Sequence, residues 1–209
     1  MKRIMILTVA ALMVMTLPSF AHANLLSNAG LEDGTWADDQ SIPDNWWTGN
    51  GGGEWSGRAW SNNASQAHSG SKYLRAWGSV GGGYAYWGQS VSGITEGAVY
   101  DLSAYLKNEW GAASPYLKVE FKDASDAILR VDGGSTALTI TGDWAQYTTT
   151  TDAAPSGTAS ANFVFYVQGV SDGGSIWIDD FDADVIPEPA SLFLLGSGLV
   201  GLLGFSRRK

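Results

Sequence analysis

At residues 100–107 the chain reads YDLSAYLK, and apolar and polar side chains alternate along it. In an extended strand, Leu102, Ala104 and Leu106 would lie on one face and the intervening side chains on the other. Such a two-residue period is typical of a strand with one face in a hydrophobic core and one face in water. The stretch therefore predicts a half-buried β-strand.

Other runs along the chain have the same period, and glycine-rich turns separate them. In residues 161–168, for example, the phenylalanines share one face, whereas Val164, Tyr166 and Gln168 share the other. The clearest runs are Tyr100–Lys107, Tyr116–Lys122, Ala145–Thr151, Ala161–Gln168 and Ser175–Phe181, and the weaker ones are Leu25–Leu31, Tyr73–Trp77 and Tyr84–Val91. Eight or more such strands predict an all-β fold, a jelly-roll β-sandwich of two antiparallel sheets.

The first 23 residues predict a signal peptide. Lys2 and Arg3 precede an apolar stretch from Ile4 to Leu17, and the segment closes with small residues around Ala23. This order of a basic, an apolar and a small-residue region is typical of a secretory signal. We therefore expect cleavage before Asn24 and an exported mature protein.

The last residues predict a membrane segment. Residues 190–205 carry no charge, and Arg207, Arg208 and Lys209 follow them. As a helix this segment would be roughly 24 Å long, somewhat shorter than the bilayer core of about 30 Å. Because positive charge beside a span resists translocation, we expect the basic residues on the cytoplasmic side and the domain outside.

The composition of the intervening domain excludes several functions. Residues 24–188 contain seven Lys and Arg against twenty-one Asp and Glu, a formal charge of −14. So acidic a surface argues against nucleic acid as a partner. The chain has no cysteine, and His68 is the only histidine of this region, so it offers little for nucleophilic catalysis. A pair of carboxylates, as in a glycosidase, remains open.

All ten tryptophans fall within this domain. Some are expected in the core, but exposed aromatic rings also provide flat surfaces against which the apolar faces of sugars stack. Packing without a ligand and stacking on a ligand carry similar weight for any single residue.

The C-terminal residues resemble the PEP-CTERM sorting signal. Pro187, Glu188 and Pro189 come first, a Leu- and Gly-rich stretch follows, and Arg207 and Arg208 stand near the end. The resemblance covers residues 186–209 and implies recognition by an exosortase in the inner membrane of a Gram-negative bacterium. It also implies transient membrane attachment, and a destination at the cell surface or in a biofilm or exopolysaccharide matrix. An ordinary single-span anchor is the alternative.

Residues 24–185 resemble the family 4/9 carbohydrate-binding modules, which are galactose-binding-like jelly rolls. The segments that carry the resemblance are Asn24–Asn28, Leu31–Gly34, Ile42–Trp46, His68–Leu74, Glu96–Ser103, Gly142–Trp144 and Ile176–Phe181. Each segment is weak alone, and the order of all seven supports the fold more than the ligand.

This second resemblance also implies a structural calcium ion. Glu32 and Asp179 match the acidic positions that hold the ion in the family, where it ties the first strand to the last. Calcium prefers oxygen ligands, which this acidic domain supplies. The alternative is that both acids face solvent beside turns.

The family resemblance places a ligand on one sheet or at one rim of the sandwich. The candidate carbohydrate-binding residues are Trp47, Tyr86, Tyr105, Trp110 and Tyr116. Tyr105 and Tyr116 have the stronger support, because alternation puts both on the faces that point away from the core.

Three functions are compatible with the sequence. The favoured one is a non-catalytic surface or matrix protein that binds carbohydrate such as exopolysaccharide. The second is a structural adhesion or matrix protein that makes only protein contacts. The third, with the least support, is a polysaccharide hydrolase.

Overall fold

The computed structural model of the protein describes residues 23–53 and 55–186, and the side chains of 170–172 are left out. Among these residues there are eight strands and no helix. The strands are β1 Trp47–Gly51, β2 Gly57–Asn62, β3 Lys72–Gly78, β4 Tyr84–Ser92, β5 Val99–Lys122, β6 Ile128–Gly133, β7 Ala145–Thr150 and β8 Ser160–Ile186. This part of the chain therefore contains no helix that could cross a membrane.

Two long strands, β5 and β8, organise the fold. They pair antiparallel over nearly their whole lengths, from Val99 opposite Ile186 to Lys122 opposite Ser160. The first part of β8 also pairs with β4, which in turn pairs with β1, and the second part of β5 pairs with β6. The second part of β8 pairs with β3 and through it with β2, and the first part of β5 pairs with β7. Two antiparallel layers of five strands result, and β5 and β8 run through both.

The strands pass between the layers where their register shifts. Irregularities lie between Asn108 and Trp110 and between Gly111 and Ala113. Gly111 has a φ of +69°, and a Cβ there would lie 2.5 Å from the carbonyl oxygen of Gly173. Bulges bend a strand and increase its twist, and glycine permits both the positive φ and the close approach.

The core lies between the inner faces of the two layers. In the first layer, Trp87 lies beside Phe165 on the neighbouring strand, and Phe165 lies beside Leu117. In the second layer, Leu74, Ile178 and Leu106 form the equivalent row. All six side chains are buried. The prediction of a half-buried strand at residues 100–107 is therefore confirmed, as is the all-β jelly-roll class.

Several details of the predicted strands were wrong. Leu25–Leu31 forms turns, with positive φ at Asn28 and Leu31, because the Asn28 side chain bonds to the backbone of Asp33 and Asp44 instead of pairing in a sheet. Four of the five runs predicted between residues 100 and 181 are joined in pairs into β5 and β8, and only Ala145–Thr151 forms a separate strand, β7.

Two outward positions are also buried. Val164 pairs with Gly88, on which the ring of Trp47 lies, and the Ser103 side chain accepts a hydrogen bond from Gln146 on the edge strand. The outer faces of these strands are therefore partly covered by aromatic and edge-strand side chains.

Other predictions fall outside the described residues. All of the predicted signal peptide, residues 1–23, except Ala23 precedes the first described position. The sorting residues Pro187, Glu188, Pro189, Arg207 and Arg208 follow the last described position, as does the predicted membrane helix. These remain predictions as far as structure is concerned.

The close approach of backbones at Gly78 gives a stability prediction. A Cβ on Gly78 would lie 2.0 Å from the Gly169 nitrogen and 2.4 Å from the Gly83 oxygen. Because both neighbours are backbone atoms that cannot rotate away, Gly78→Ala should lower the free energy of unfolding by about 1–3 kcal/mol or more. Urea unfolding measures this loss. Gly142→Ala is the matched control, since nothing lies within 4 Å of a Cβ there, and equal stability losses in both variants would contradict the packing argument.

Candidate functional site

The outer face of the first layer carries a row of tyrosines. Tyr86 on β4 lies opposite Tyr166 on β8, and Tyr166 lies opposite Tyr116 on β5. Residues directly opposite in antiparallel strands point to the same face. Their neighbours along the strands, Ala85 and Phe165, point into the core. Alternation therefore turns the three phenol rings away from the core.

Two more aromatic side chains complete this surface. The ring of Tyr84 stacks on that of Tyr166 with centroids 5.7 Å apart and on that of Tyr86 at 6.3 Å. Tyr116 is tilted against Tyr166 at 6.0 Å, and Trp47 meets Tyr86 edge to face at 5.8 Å. We call these five residues, all of them half-buried, the aromatic platform.

Glycines on the neighbouring strands leave room for the platform rings. A Cβ on Gly88 would lie 2.4 Å from Cη2 of Trp47, and a Cβ on Gly49 would lie 2.3 Å from the hydroxyl oxygen of Tyr86. Both rings therefore lie across backbone that carries no side chain. This arrangement fixes the orientation of both rings and lets them pack flat against the sheet.

A chain of polar contacts runs alongside the platform. The indole N–H of Trp47 donates to Ser90 Oγ (3.2 Å), which donates to Asn162 Oδ1 (2.7 Å). The Asn162 amide donates to Glu120 Oε2 (3.1 Å), and Lys118 Nζ lies 2.9 Å from Glu120 Oε1. The platform is thus bordered by hydroxyl, amide and charged groups that can bond to a polar ligand.

The central tyrosine, Tyr166, is harder to ionise than an ordinary tyrosine. Burial raises the pKa of Tyr166, and the neighbouring Tyr84 and Tyr116 raise it further. Lys118 Nζ also lies 5.1 Å from the centroid of this ring. At neutral pH the phenol is therefore protonated, and its ring offers a face for stacking while its hydroxyl can donate or accept a hydrogen bond.

The five candidate binding residues do not lie on one surface. Trp47, Tyr86 and Tyr116 lie together on the platform, whereas Tyr105 and Trp110 belong to the second layer. Tyr105 stacks on His68 with centroids 3.7 Å apart, and Trp110 stacks on Trp55 at 5.7 Å. The bend of β5 explains the separation, because its first and second parts face different sides of the sandwich.

Sequence reasoning did not select the two platform residues Tyr84 and Tyr166. Alternation had placed Tyr166 on an outward face, so a signal existed for that position. That Tyr166 lies beside Tyr86 and Tyr116 follows only from the register of the paired strands.

The side chain of His68 is held by packing and hydrogen bonding to its neighbours. Its Nδ1 lies 2.6 Å from Asp180 Oδ2, and its ring packs between Tyr105 and Trp144. The hydroxyl of the adjacent Ser69 donates to Asp180 Oδ1 (2.7 Å). Because Ser69 donates to the carboxylate and not to the imidazole, this group does not have the nucleophile–base arrangement of a hydrolytic triad.

The two candidate calcium ligands hold one segment, residues 68–72, from two sides. Asp179 Oδ2 accepts N–H bonds from His68 (2.9 Å) and Ser69 (3.1 Å), and its Oδ1 accepts one from Asp180 (2.8 Å). Glu32 Oε1 accepts N–H bonds from Ser71 and Lys72, both 2.7 Å. Burial opposes ionisation of Glu32, but these N–H groups, the Ser71 hydroxyl and the charge of Lys72 together outweigh it and lower the pKa of Glu32.

These contacts define what a calcium ion would need. Within the described part of the chain, no group of three or more His, Cys, Asp or Glu side chains could surround one ion. An ion at Glu32 and Asp179 would therefore draw its other ligands from backbone carbonyls or water. It would also share the two carboxylates with the N–H donors that already occupy them, so the calcium site stays a prediction.

The burial of Asp179 gives a pH prediction. Burial raises the pKa of Asp179 to about 7, the Asp180 carboxylate adds to the rise, and the N–H bonds oppose it. A carboxyl whose pKa is higher in the folded than in the unfolded state stabilises the fold below its unfolded pKa, and this contribution is lost as pH rises through the folded pKa. We expect the free energy of unfolding to fall between about pH 4 and pH 7.

Urea unfolding at several pH values, with a chelator present, measures this slope. Asp179→Asn preserves the shape of the side chain but cannot ionise, so the slope should be smaller in the variant. The same slope in both proteins would show that Asp179 does not titrate in this range.

Comparison with known proteins confirms the sorting motif and the fold. The family profile described as the PEP-CTERM protein-sorting motif matches residues 185–209. No curated protein matches the chain significantly.

Among solved structures, the carbohydrate-binding module TmCBM61, in complex with β-1,4-galactotriose, is 17% identical with a TM-score of 0.50 and covers 78% of this chain and 99% of its own. The CBM22-1 xylan-binding domain of Xyn10C from Paenibacillus barcinonensis is 18% identical with a TM-score of 0.51. The match covers 82% of this chain and 99% of that domain.

The enzymatically active domain of tailspike protein 4 from bacteriophage CBA120 is 18% identical with a TM-score of 0.59. It matches 78% of this chain, but the chain spans only 21% of that protein. At these identities the likeness concerns the fold alone. The chain thus combines a PEP-CTERM protein-sorting motif with a jelly roll of the kind found in carbohydrate-binding modules.

Proposed function

We propose that this protein is exported, is sorted by an exosortase, and binds polysaccharide on the aromatic platform without catalysing a reaction. The observation that carries this proposal is the row of Tyr86, Tyr166 and Tyr116 across three neighbouring strands. Aromatic side chains that face away from the core can stack on the apolar faces of sugar rings. The bordering Ser90, Asn162 and Glu120 provide the hydrogen-bonding groups that orient a ligand.

The fold supports this choice of ligand class. TmCBM61 is solved with β-1,4-galactotriose, and the CBM22-1 domain is named as xylan-binding. A jelly roll can host many functions, so the platform, and not the fold, supports the proposed ligand. We propose the cell's own exopolysaccharide as the physiological ligand, because a sorted surface protein meets this polymer first.

The platform favours binding over hydrolysis. Its aromatic residues supply stacking surfaces, and Glu120, the carboxylate beside them, is paired with Lys118 at 2.9 Å. A carboxylate paired with a lysine ammonium is a poor general acid, whereas glycoside hydrolysis requires one carboxyl that donates a proton. We therefore propose that no reducing sugar is released on incubation with a bound polysaccharide. Release of reducing sugar that is lost when Glu120 is replaced would overturn the proposal that the protein is not a hydrolase.

The sorting motif supports the proposed destination. The match at residues 185–209 includes the Pro-Glu-Pro residues, the apolar stretch and the basic end. With the signal peptide, it would bring the domain outside the inner membrane of a Gram-negative bacterium and attach it there until an exosortase acts. Cell fractionation tests this. Export should depend on residues 1–23, and replacing Glu188 should leave the protein in the inner membrane.

We also propose that calcium stabilises the domain at Glu32 and Asp179. Glu32 precedes the first strand and Asp179 lies in the last, so an ion held by both would link distant parts of the chain. A ligand that binds only the folded state raises its stability. Calorimetry with calcium and then with a chelator tests the proposal, and an unchanged melting temperature would rule out a structural ion.

Binding itself is tested by affinity electrophoresis of the full chain, solubilised in mild detergent. The panel consists of xylan, β-1,4-galactan, cellulose-type and mixed-linkage β-glucans, mannan and the exopolysaccharide of the producing cell. At least one polymer should retard the protein, and a hexasaccharide of that polymer should compete. Failure of every polymer to retard the protein would overturn the proposed function.

A further inference from the structure

The edge strand β6 exposes large aliphatic side chains. Ile128 is 55%, Leu129 41% and Val131 44% exposed. None of the three belongs to the core cluster or to the partly buried residues that pack against it. Natural proteins usually protect an edge strand with charges, proline or a covering loop, because an exposed apolar edge pairs with other chains. The strand therefore has the properties of an interaction surface.

The other edge strands of the described chain, β1, β2 and β7, are different. On β2 the Trp60 N–H donates to the carbonyl of Asp39 (3.1 Å), and the Trp60 carbonyl accepts from the Trp36 indole (2.7 Å), so a loop covers this edge. Strand β1 has no aliphatic side chain. The exposed side chains of β7 are all polar, namely Gln146, Thr148 and Thr150. Among these four edges, only β6 exposes aliphatic groups.

One side of the β6 backbone is unpaired. Within residues 23–53 and 55–186, the strand pairs only with β5, and the bonds from the segment after β7 go to its side chains. These are the bonds from Asp152 N–H to Asp132 Oδ2 (3.0 Å) and from Arg130 Nη2 to the carbonyl of Ala153 (3.0 Å). An open cleft of about 270 Å³ beside the strand is lined by Val131 and Asp132, among others. The edge can therefore accept a further strand.

The charges of β6 are self-complementary. Arg130 and Asp132 form a two-bond ion pair on one face, Nε to Oδ1 at 2.6 Å and Nη2 to Oδ2 at 2.7 Å. If two copies of β6 pair antiparallel about Val131, Arg130 of each copy lies opposite Asp132 of the other. A centre one residue away would place two arginines or two aspartates opposite each other, which is unfavourable. The charges therefore favour the register centred on Val131.

From these observations we propose that β6 is a dimerisation edge, at which the strand pairs antiparallel with β6 of a second copy, centred on Val131. A two-fold axis then relates the copies, and both use the same surface. Leu129 of each copy lies opposite Gly133 of the other, which has no side chain to obstruct it. Because opposite residues share a face, both aromatic platforms lie on the same side of the joined sheet.

The dimer is weak and reversible. The strand has six residues, far fewer than the roughly 20–30 that a standard interface uses on each side. We expect a dissociation constant on the order of 10 µM. No ligand takes part in the pairing, so a test of the dimer does not depend on the proposed function.

Cysteine crosslinking of the detergent-solubilised full chain tests the register. The chain has no cysteine, so one substitution introduces a single thiol. At the proposed axis the two Cα atoms of residue 131 are about 4.5–5.5 Å apart, a distance that a disulfide spans. The two Cα atoms of residue 129 are roughly 13 Å apart. With copper phenanthroline as the oxidant, Val131→Cys should form linked dimers at least about tenfold faster than Leu129→Cys. Thr148→Cys, on β7, is the control for random collisions and should be equally slow.

Sedimentation velocity of the same preparation measures the association itself. The unmodified protein should show monomer and dimer in equilibrium. Val131→Asp places two carboxylates together at the axis and should weaken the dimer at least about tenfold. Thr148→Asp adds the same charge to another edge and should associate normally. Far-UV circular dichroism checks that each variant is folded.

Several results would overturn the inference and leave the proposed function intact. One is crosslinking at equal rates at the three positions, or fastest at residue 129. Another is the absence of a dimer at ten times the expected dissociation constant. A dimer that Val131→Asp leaves unchanged would place the contact elsewhere on the chain and would likewise contradict pairing through β6.

Discussion

Replacing Phe165 by alanine is expected to lower the free energy of unfolding by about 3–5 kcal/mol. Phe165 is fully buried and lies between Trp87 and Leu117 on its two neighbouring strands. Alanine would leave a cavity in the middle of the first layer, where sheet pairing prevents the strands from closing it. Since the total free energy of unfolding of a small domain is about 5–15 kcal/mol, the variant should lose a large part of its stability.

Urea unfolding followed by tryptophan fluorescence measures this loss. Phe165→Leu serves as the control, because it retains most of the apolar volume and should lose less. A loss below about 1 kcal/mol in Phe165→Ala would contradict the placement of this side chain in the core.

Replacing the next residue, Tyr166, should weaken ligand binding strongly but lower the stability of the fold only slightly. Tyr166 lies at the centre of the platform, where it contacts Tyr84, Tyr116 and Lys118. Tyr166→Ala removes the ring on which the others are arranged, and we expect it to weaken polysaccharide binding by about 2 kcal/mol, roughly thirtyfold. Because the side chain points away from the core, the free energy of unfolding should fall much less than in Phe165→Ala.

Titration calorimetry with the retarding polymer measures the change in affinity. Tyr105→Ala is the matched control, since Tyr105 is also a half-buried outward tyrosine but stacks on His68 in the other layer. Its affinity should be unchanged. Equal losses of affinity in the two variants would show that the platform is not the binding surface.

The period of the apolar residues was enough to predict the class of fold. It placed Leu102, Phe163 and Phe165 inside and Tyr166 outside, because successive side chains in a strand point to opposite faces. The same rule failed at Val164, which is buried because the large ring of Trp47 lies beside it on the outer face. Alternation describes one strand and carries no information about what covers its outer face.

The continuity of β5 was not visible in the sequence. Apart from Trp110, residues 108–115 have small or polar side chains, and the register shifts among them, so their alternation is lost although they remain paired. The short strands β1, β2 and β6 were missed for a related reason. Each contains glycine, and glycine has low strand propensity.

The platform could be predicted only in part because its residues are distant in the chain. Tyr86, Tyr116 and Tyr166 become neighbours through the register of β4, β8 and β5. Tyr105 and Tyr116 share one strand and both point outward, yet the bend between them assigns them to different layers. Composition can indicate that a domain is rich in exposed aromatic rings, but only the topology decides which of them meet.

The central claim is that sugar rings stack on the platform, and tyrosine ring signals in an NMR titration test it most directly. With tyrosine rings labelled and each signal assigned by substitution, addition of a bound oligosaccharide should shift Tyr86, Tyr116 and Tyr166 together. The signals of Tyr105, which stacks on His68 on another surface, and of Tyr147, which packs against the core, should keep their positions. Shifts confined to Tyr105 or Tyr147, or no shift at saturating oligosaccharide, would contradict the account.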